Sequence, residues 1–118
     1  MKHLSWNCHG LGNTAAVLAL LDVQRRNNPD VVFLSETHLD RYPADCLRRR
    51  MKMDFMIIQT SDGRRGGIMM LWKQEVKLYQ IFACPNYIDV RIEEQKFGDL
   101  QVCMVSFDGQ INIKLGIG

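Results

Sequence analysis

The apolar and polar positions divide the chain into a first half of strand and helix patterns and a second half of short strand patterns. Residues 2–6 predict a short strand, and the continuously apolar run 31–34 predicts a strand covered on both faces. Between them, apolar residues at helical spacing predict a helix from Asn13 or Thr14 to about residue 26. This order predicts a right-handed βαβ unit with two parallel neighbouring strands.

The remaining pattern predicts a second helix followed by strands. Pro43 suits the first turn of that helix, whose inward positions would be Ala44, Leu47 and Met51. After residue 76, short alternating runs separated by Gly, Asp and Asn indicate an antiparallel meander, and the tail 111–118 has no clear terminating element. The predicted strands are residues 54–60, 68–72, 76–84, 87–93 and 100–107.

Size and composition indicate one small globular domain. The chain has 118 residues, of which 47% are hydrophobic and 24% charged. A net charge of +2 is too small to imply a polyanionic partner by itself. Local clusters at Arg48–Arg50 with Lys52, and at Arg64 and Arg65, are either a solvated helix face and a charged turn or phosphate contacts.

The cysteines and the apolar runs exclude several classes of protein. Four cysteines occur without CxxC spacing, so a zinc site is not expected. No secretory signal pattern is present, and the apolar runs are too short to cross a bilayer. We therefore expect a protein of the nucleus or cytoplasm that is not secreted and has no membrane partner.

Two polar residues close the strands of the βαβ unit. Asn7 follows the first strand and Glu36 follows the second. Ligands of open α/β sheets gather outside the carboxyl ends of the strands, and Mg²⁺ needs only one or two protein carboxylates because it keeps several waters. The alternative is that Asn7 forms a turn and Glu36 caps a backbone group.

Three motifs resemble the endonuclease/exonuclease/phosphatase superfamily. They are LSWNCHGLG at 4–12, PDVVFLSETHL at 29–39 and GGIMMLWK at 66–73, in the family's order. The wording is most similar to the endonuclease domain of plant non-LTR (LINE-type) retrotransposons over residues 2–82. The resemblance implies an α/β fold, the N-terminal half of a four-layer α/β/β/α sandwich, with a mixed sheet flanked by two helices. Residues 1–118 would be a single partial domain, truncated at its C-terminus.

The resemblance also implies an activity, namely Mg²⁺- or Mn²⁺-dependent hydrolysis of phosphodiesters in DNA. Glu36 matches the metal ligand, and Asn7 matches the asparagine that supports the metal and the scissile phosphate. His9, Arg64 and Arg65 are candidate phosphate contacts; neither His9 nor His38 is expected to be a general base.

The same resemblance predicts an incomplete site. The family's other catalytic residues belong to its second half, and Asp108 occupies the position of a phosphate-approaching tyrosine. We therefore expect a weakly active or inactive fragment, or alternatively a non-catalytic nucleic-acid-binding remnant of a decayed retrotransposon.

Half a sandwich should also leave an apolar face uncovered. Ile57, Ile68 and Met70 would contribute to that face wherever they point inward. Large exposed apolar patches favour association, so we expect self-association through an exposed sheet face.

Overall fold

The chain folds into two four-stranded sheets and two helices. The computed structural model describes residues 2–60, 67–84, 87–93, 100–107 and 110–117. The sheets have the strand orders β1-β2-β4-β3 and β5-β6-β7-β8. The elements are β1 (His3–Asn7), α1 (Thr14–Asn27), β2 (Val31–Ser35), α2 (Arg41–Arg50), β3 (Phe55–Gln59), β4 (Ile68–Trp72), β5 (Leu78–Cys84), β6 (Tyr87–Ile92), β7 (Leu100–Phe107) and β8 (Gln110–Ile117).

The first sheet contains the predicted parallel pair. β1 and β2 are parallel neighbours connected through α1, whereas β4 runs antiparallel to both β2 and β3. The helix starts where the sequence predicts, because the Asn13 side chain accepts a hydrogen bond from the Ala16 N–H at 2.8 Å. It ends at Asn28, whose φ of 44° is the left-handed conformation common at helix C-termini.

The second helix buries the side chains that its pattern selects. Pro43 lies in the first turn, and Ala44, Leu47 and Met51 are all buried. This helix packs beside α1 on the outer side of the first sheet, where Gln24 Nε2 donates to the Met51 carbonyl at 2.8 Å.

Alternate residues of β2 and β4 supply two separate cores. Val32 and Leu34 pack with the helices in the outer core, which also includes Leu20. Val31 and Phe33 point to the other face and pack in the inter-sheet core against residues of the second sheet. Burial on both faces explains why these strands are continuously apolar in sequence. The inter-sheet core consists of Val31, Phe33, Ile68, Met70, Trp72, Ile88, Val90, Ile92 and Val102.

The prediction of an uncovered inner face is wrong. Ile68 and Met70 are 1% and 0% exposed, and Ile57 packs against the inter-sheet core. The reason is that the strands after residue 76 form a sheet that covers this face. The sequence pattern predicted those strands but did not show which surface they cover.

The second sheet is the predicted antiparallel meander, with one more strand. Its strands pair in chain order. Gln110–Ile117 forms β8 in the tail where the sequence showed no clear ending. The described residues thus make three layers, helices on sheet on sheet, which is the N-terminal half of the expected sandwich. In the described ranges, no helix has both the length and the apolar character needed to cross a membrane.

Candidate active site

Asn7 and Glu36 lie at the same edge of the first sheet because their strands are parallel and in register. Asn7 pairs with Ser35 in the β1–β2 register, and Glu36 is the next residue. The pairing continues past the strand ends through backbone hydrogen bonds. The N–H groups of residues 8, 10 and 11 donate to the carbonyls of residues 35, 36 and 37 at 2.9, 2.7 and 3.0 Å. The loop that follows β1 is thereby fixed to the segment that contains Glu36.

His9 is the side chain nearest to the Glu36 carboxylate among the described ion pairs. Its Nδ1 lies 3.4 Å from Glu36 Oε2, and the two side chains are 80% and 26% exposed. The carboxylate is thus partly shielded at the sheet edge but remains accessible to solvent. The imidazole stands beside it, in the position of a residue that could contact a negatively charged ligand.

Asn7 organises this loop through its own side chain. Its Oδ1 accepts a hydrogen bond from the backbone N–H of His9 at 3.1 Å, which is the geometry of an Asx turn. The turn-forming role proposed as the alternative for Asn7 is therefore present in the structure. Through this turn and the contact between His9 and Glu36, the residues Asn7, His9 and Glu36 form one cluster at the sheet edge.

Several residues around the site have left-handed backbones. His9, Glu36 and His38 have φ values of 50°, 48° and 53°, and none of them is glycine. Such conformations cost about 1–3 kcal/mol each and are concentrated at functional sites. Gly10 has a φ of 85°, and a Cβ added there would lie 2.9 Å from His38 Nδ1. The glycine of the first motif therefore allows the loop to lie directly against His38.

Thr37 follows Glu36 directly, and the sequence did not show its structural role. It is completely buried, and its Oγ1 has no hydrogen-bond partner among the described residues. Its N–H donates to the Gly67 carbonyl at 3.2 Å. A Cβ added to Gly67, whose φ is 90°, would lie 2.8 Å from Thr37 Oγ1. The second glycine of the third motif is thus needed for β4 to start close behind Glu36.

Cys8 supports the loop by packing rather than by reactivity. It is 5% exposed and belongs to the outer core. Burial raises the pKa of its thiol to about 12, and the negative charge of Glu36 adds to the rise. The thiol is therefore protonated at neutral pH, and a buried protonated thiol is a poor nucleophile.

The basic cluster on α2 divides into two pairs. Arg48 Nε and Arg49 Nη2 bind the Asp45 carboxylate at 3.0 and 2.7 Å. The Arg48 hydrogen bond lowers the pKa of Asp45, with a further contribution from the charge of Arg49. Arg50 and Lys52 form no ion pair with a described residue. Arg64, Arg65 and Asp108, which the sequence analysis also singled out, lie outside the described residues.

The donor set at the sheet edge suits one position of a hard cation. Glu36 offers carboxylate oxygens, which Mg²⁺ prefers, at a solvent-accessible edge. Within the part of the chain that the structure describes, no group of three His, Cys, Asp or Glu side chains could enclose a metal ion. Glu36 therefore fits a metal ion that takes its other ligands from water or from residues other than the described ones.

Comparison with known proteins identifies a family and a fold. A model of the Endonuclease/Exonuclease/phosphatase family matches residues 4–109. No curated protein is significantly similar to the chain in sequence. D. rerio TDP2 complexed with single strand DNA product is 24% identical with a TM-score of 0.53, over 98% of this chain and 44% of that chain. Humanized D. rerio TDP2 with 14 mutations is 24% identical with a TM-score of 0.52, over 98% and 48%.

A more distant solved structure gives a similar coverage. C. elegans TDP2 is 19% identical with a TM-score of 0.49, over 95% of this chain and 33% of that chain. The chain thus shares its fold with the D. rerio structures and spans less than half the length of these solved structures.

Proposed function

The chain belongs to the endonuclease/exonuclease/phosphatase family, and on this premise we propose that it is part of a divalent-metal-dependent phosphodiester hydrolase acting on nucleic acid, with DNA as the substrate. The observation that carries the proposal is the position of Glu36. Its carboxylate is held beside Asn7 and His9 at the carboxyl ends of two parallel strands, where α/β sheets bind ligands.

Glu36 and Asn7 have separate tasks in this proposal. Glu36 would hold Mg²⁺ or Mn²⁺ through its partly exposed carboxylate. Asn7 would orient the loop and present its side-chain amide to the substrate phosphate. When bound, the cation would supply charge stabilisation at the phosphoryl oxygens and lower the pKa of a water.

His9 lies beside the Glu36 carboxylate, close to where a substrate phosphate would bind in this proposal. It lies 3.4 Å from Glu36 and is 80% exposed. The imidazole is therefore placed to donate a ring N–H to a phosphate bound at this edge. Arg64 and Arg65 are proposed as phosphate contacts because they form a local pair of positive charges in the sequence.

The choice of nucleic acid is supported at the level of the family and the fold. The TDP2 structure from D. rerio, which shares the fold, was solved with a single strand DNA product. We extend this to the present chain as a proposal. We also propose a kinship with the endonucleases of plant LINE-type retrotransposons, which rests on the wording of the sequence motifs. A nuclear or cytoplasmic location is likewise proposed from the sequence.

The activity of this chain alone should be weak or absent. A missing general base forfeits roughly 10²- to 10⁴-fold in rate, and His9, the imidazole beside Glu36, is not expected to take that role. The alternative is a non-catalytic nucleic-acid-binding remnant of a decayed retrotransposon, which would bind the polymer without hydrolysing it.

A nicking assay on supercoiled plasmid with Mg²⁺ separates the two functions. The wild-type protein should nick faster than Glu36→Gln, which keeps the shape but removes the charge. Glu75→Gln is the matched control, because Glu75 is exposed in the turn before β5, and it should nick like the wild type. Equal nicking by all three proteins would reject hydrolysis at Glu36, and no nicking above background in any of them would leave the inactive fragment or the binding remnant.

A further inference from the structure

A groove with four cationic side chains lies at the end of the first sheet opposite to Glu36. It has a volume of about 650 Å³ and runs between the C-terminal ends of α1 and α2. We call it the basic groove, formed by Arg25, Arg50, Lys52 and Lys73 around an apolar floor that includes Leu18 and Leu21. Asn28, near the start of β2, also lines it, and Glu36 follows the end of that strand. Five strand residues at about 3.3 Å each separate the two ends by roughly 16 Å.

The charge of the groove exceeds that of the chain as a whole. Its lining contains four cations and a single carboxylate, that of Asp22, whereas the net charge of the chain is +2. Asp22 is also shared, since it binds Arg26 at 2.9 Å and Arg25 at 3.6 Å. Arg50 and Lys52 make no ion pair with a described residue. The groove therefore has a surplus of positive charge that its own residues do not neutralise.

Stabilisation of the helix ends accounts for only part of this charge. Cations in a last helical turn interact favourably with the helix dipole, which explains Arg25 and Arg50. Lys52 lies beyond the end of α2, and Lys73 follows β4 rather than a helix. Lys73 Nζ is directed by a 2.9 Å hydrogen bond to Asn28 Oδ1, and an ammonium group has two further donors.

The walls of the groove are fixed rather than loosely arranged. Gln24 ties α1 to the end of α2 through the Met51 carbonyl at 2.8 Å. Lys52 is held in the left-handed conformation, with a φ of 58°. On the floor, Leu18 is 53% exposed although it is a large apolar residue. An exposed leucine among cationic side chains is a surface suited to a ligand with both an apolar and an anionic part.

We propose that the basic groove binds single-stranded nucleic acid, with backbone phosphates against Arg50, Lys52 and Lys73 and a base against Leu18. Unpaired bases expose flat apolar faces that can pack on protein side chains, whereas those of a duplex are stacked inside it. The choice of polymer rests on the proposed function, but the site does not depend on hydrolysis at Glu36. The groove would hold a strand away from the active edge and so add to affinity for long substrates.

The test is fluorescence anisotropy with a short labelled thymidine oligonucleotide, in EDTA so that metal-dependent cleavage does not intervene. Arg50→Gln/Lys52→Gln should bind roughly tenfold more weakly at low salt, with a salt slope reduced by about 1.4, since each lost contact to a single strand removes about 0.7. The matched control is Arg41→Gln/Lys77→Gln, which removes two exposed cations outside the groove and should leave the slope unchanged. Arg50→Gln/Lys52→Gly provides a second groove variant with a relaxed backbone at residue 52.

Two further arms decide the nature of the ligand. Leu18→Ser should weaken binding of the single-stranded oligonucleotide more than binding of a duplex of the same length, because only the single strand has an unpaired base that can pack on Leu18. Equal losses in the groove and control variants would overturn the proposal. A polyglutamate peptide is the competing ligand. If the groove variants lose binding of polyglutamate but keep binding of the oligonucleotide, the proposal is also overturned, because the partner would then be an acidic protein. A loss of nicking in Glu36→Gln with unchanged oligonucleotide binding in the groove variants would reject the groove and keep the proposed function.

Discussion

At the residue scale, Thr37 combines complete burial with an unpaired polar atom. Its side chain is 0% exposed, and Oγ1 has no hydrogen-bond partner among the described residues. A buried hydroxyl without a partner costs about 1–3 kcal/mol of stability. This cost arises next to Glu36, where Thr37 contacts Gly67 at the start of β4.

Replacement of Thr37 by valine should therefore stabilise the protein. Valine has nearly the same shape but no hydroxyl, so Thr37→Val should raise the free energy of unfolding by about 1 kcal/mol. Thr37→Ser is the matched control, because it keeps the hydroxyl and loses a methyl group, and it should lower stability by about 1 kcal/mol. Urea denaturation measures both. A destabilisation in Thr37→Val would mean that the hydroxyl has a partner in solution.

The sequence could identify the candidate side chains but not their conformations. Asn7 and Glu36 were found because each closes a strand and stands in a family motif. The left-handed backbone of Glu36 could not be predicted, since it is fixed by hydrogen bonds from residues 8–11, far away in the chain. The same holds for Thr37, which lies against Gly67, the residue before β4.

At the scale of the element, the end of α2 has a residue that its backbone disfavours. Lys52 donates its N–H to the Arg49 carbonyl at 3.1 Å, and Met53 donates to Arg48 at 3.2 Å. These bonds form a Schellman motif, in which the residue with positive φ is usually glycine. A lysine in that conformation costs about 1–2 kcal/mol. The same lysine is one of the four cations of the basic groove.

Lys52→Gly should consequently raise stability while it removes a groove cation. We expect a gain of about 1 kcal/mol in the free energy of unfolding, since glycine relieves the strain but adds chain entropy to the unfolded state. Lys52→Gln is the control, because it removes the same charge and keeps the strain, and its stability should stay near that of the wild type. Thermal or urea unfolding distinguishes them. A loss of stability in Lys52→Gly would show that the lysine side chain itself supports the end of the helix.

Strands could be predicted where the local apolar pattern was sufficient, but not where the strand is defined by its pairing with a neighbouring strand. Ile68–Trp72 and Leu100–Phe107 have the bounds that their apolar patterns indicate. Gln110–Ile117 was not predicted although Ile111, Ile113, Leu115 and Ile117 alternate as in a strand, because the pattern alone does not show which strand this segment pairs with. This strand is defined by its antiparallel pairing with β7, which is a tertiary property.

At the scale of the whole molecule, the inter-sheet core decides whether this chain can be an independent unit. The sequence analysis expected an exposed inner face, whereas Val31, Phe33 and Met70 are between 0% and 1% exposed beneath the second sheet. Burial of that face removes the route by which self-association was expected. The second sheet has exposed apolar side chains of its own, since Tyr79, Ile81 and Phe82 of β5 are 50–62% exposed.

Phe33 tests this arrangement because it lies in the central strand of the first sheet and faces the second. If the two sheets pack in solution, Phe33→Ala should lower the free energy of unfolding by about 3–5 kcal/mol, a large share of the total for a small domain. Tyr42→Ala is the control, since Tyr42 is 78% exposed on α2, and it should change stability by about 0.5 kcal/mol or less. Urea denaturation gives both values, and binding of an apolar dye reports exposure of the inner face. Similar small losses for the two variants, with strong dye binding by the wild type, would mean that the sheets separate and that the uncovered face predicted from the sequence exists in solution.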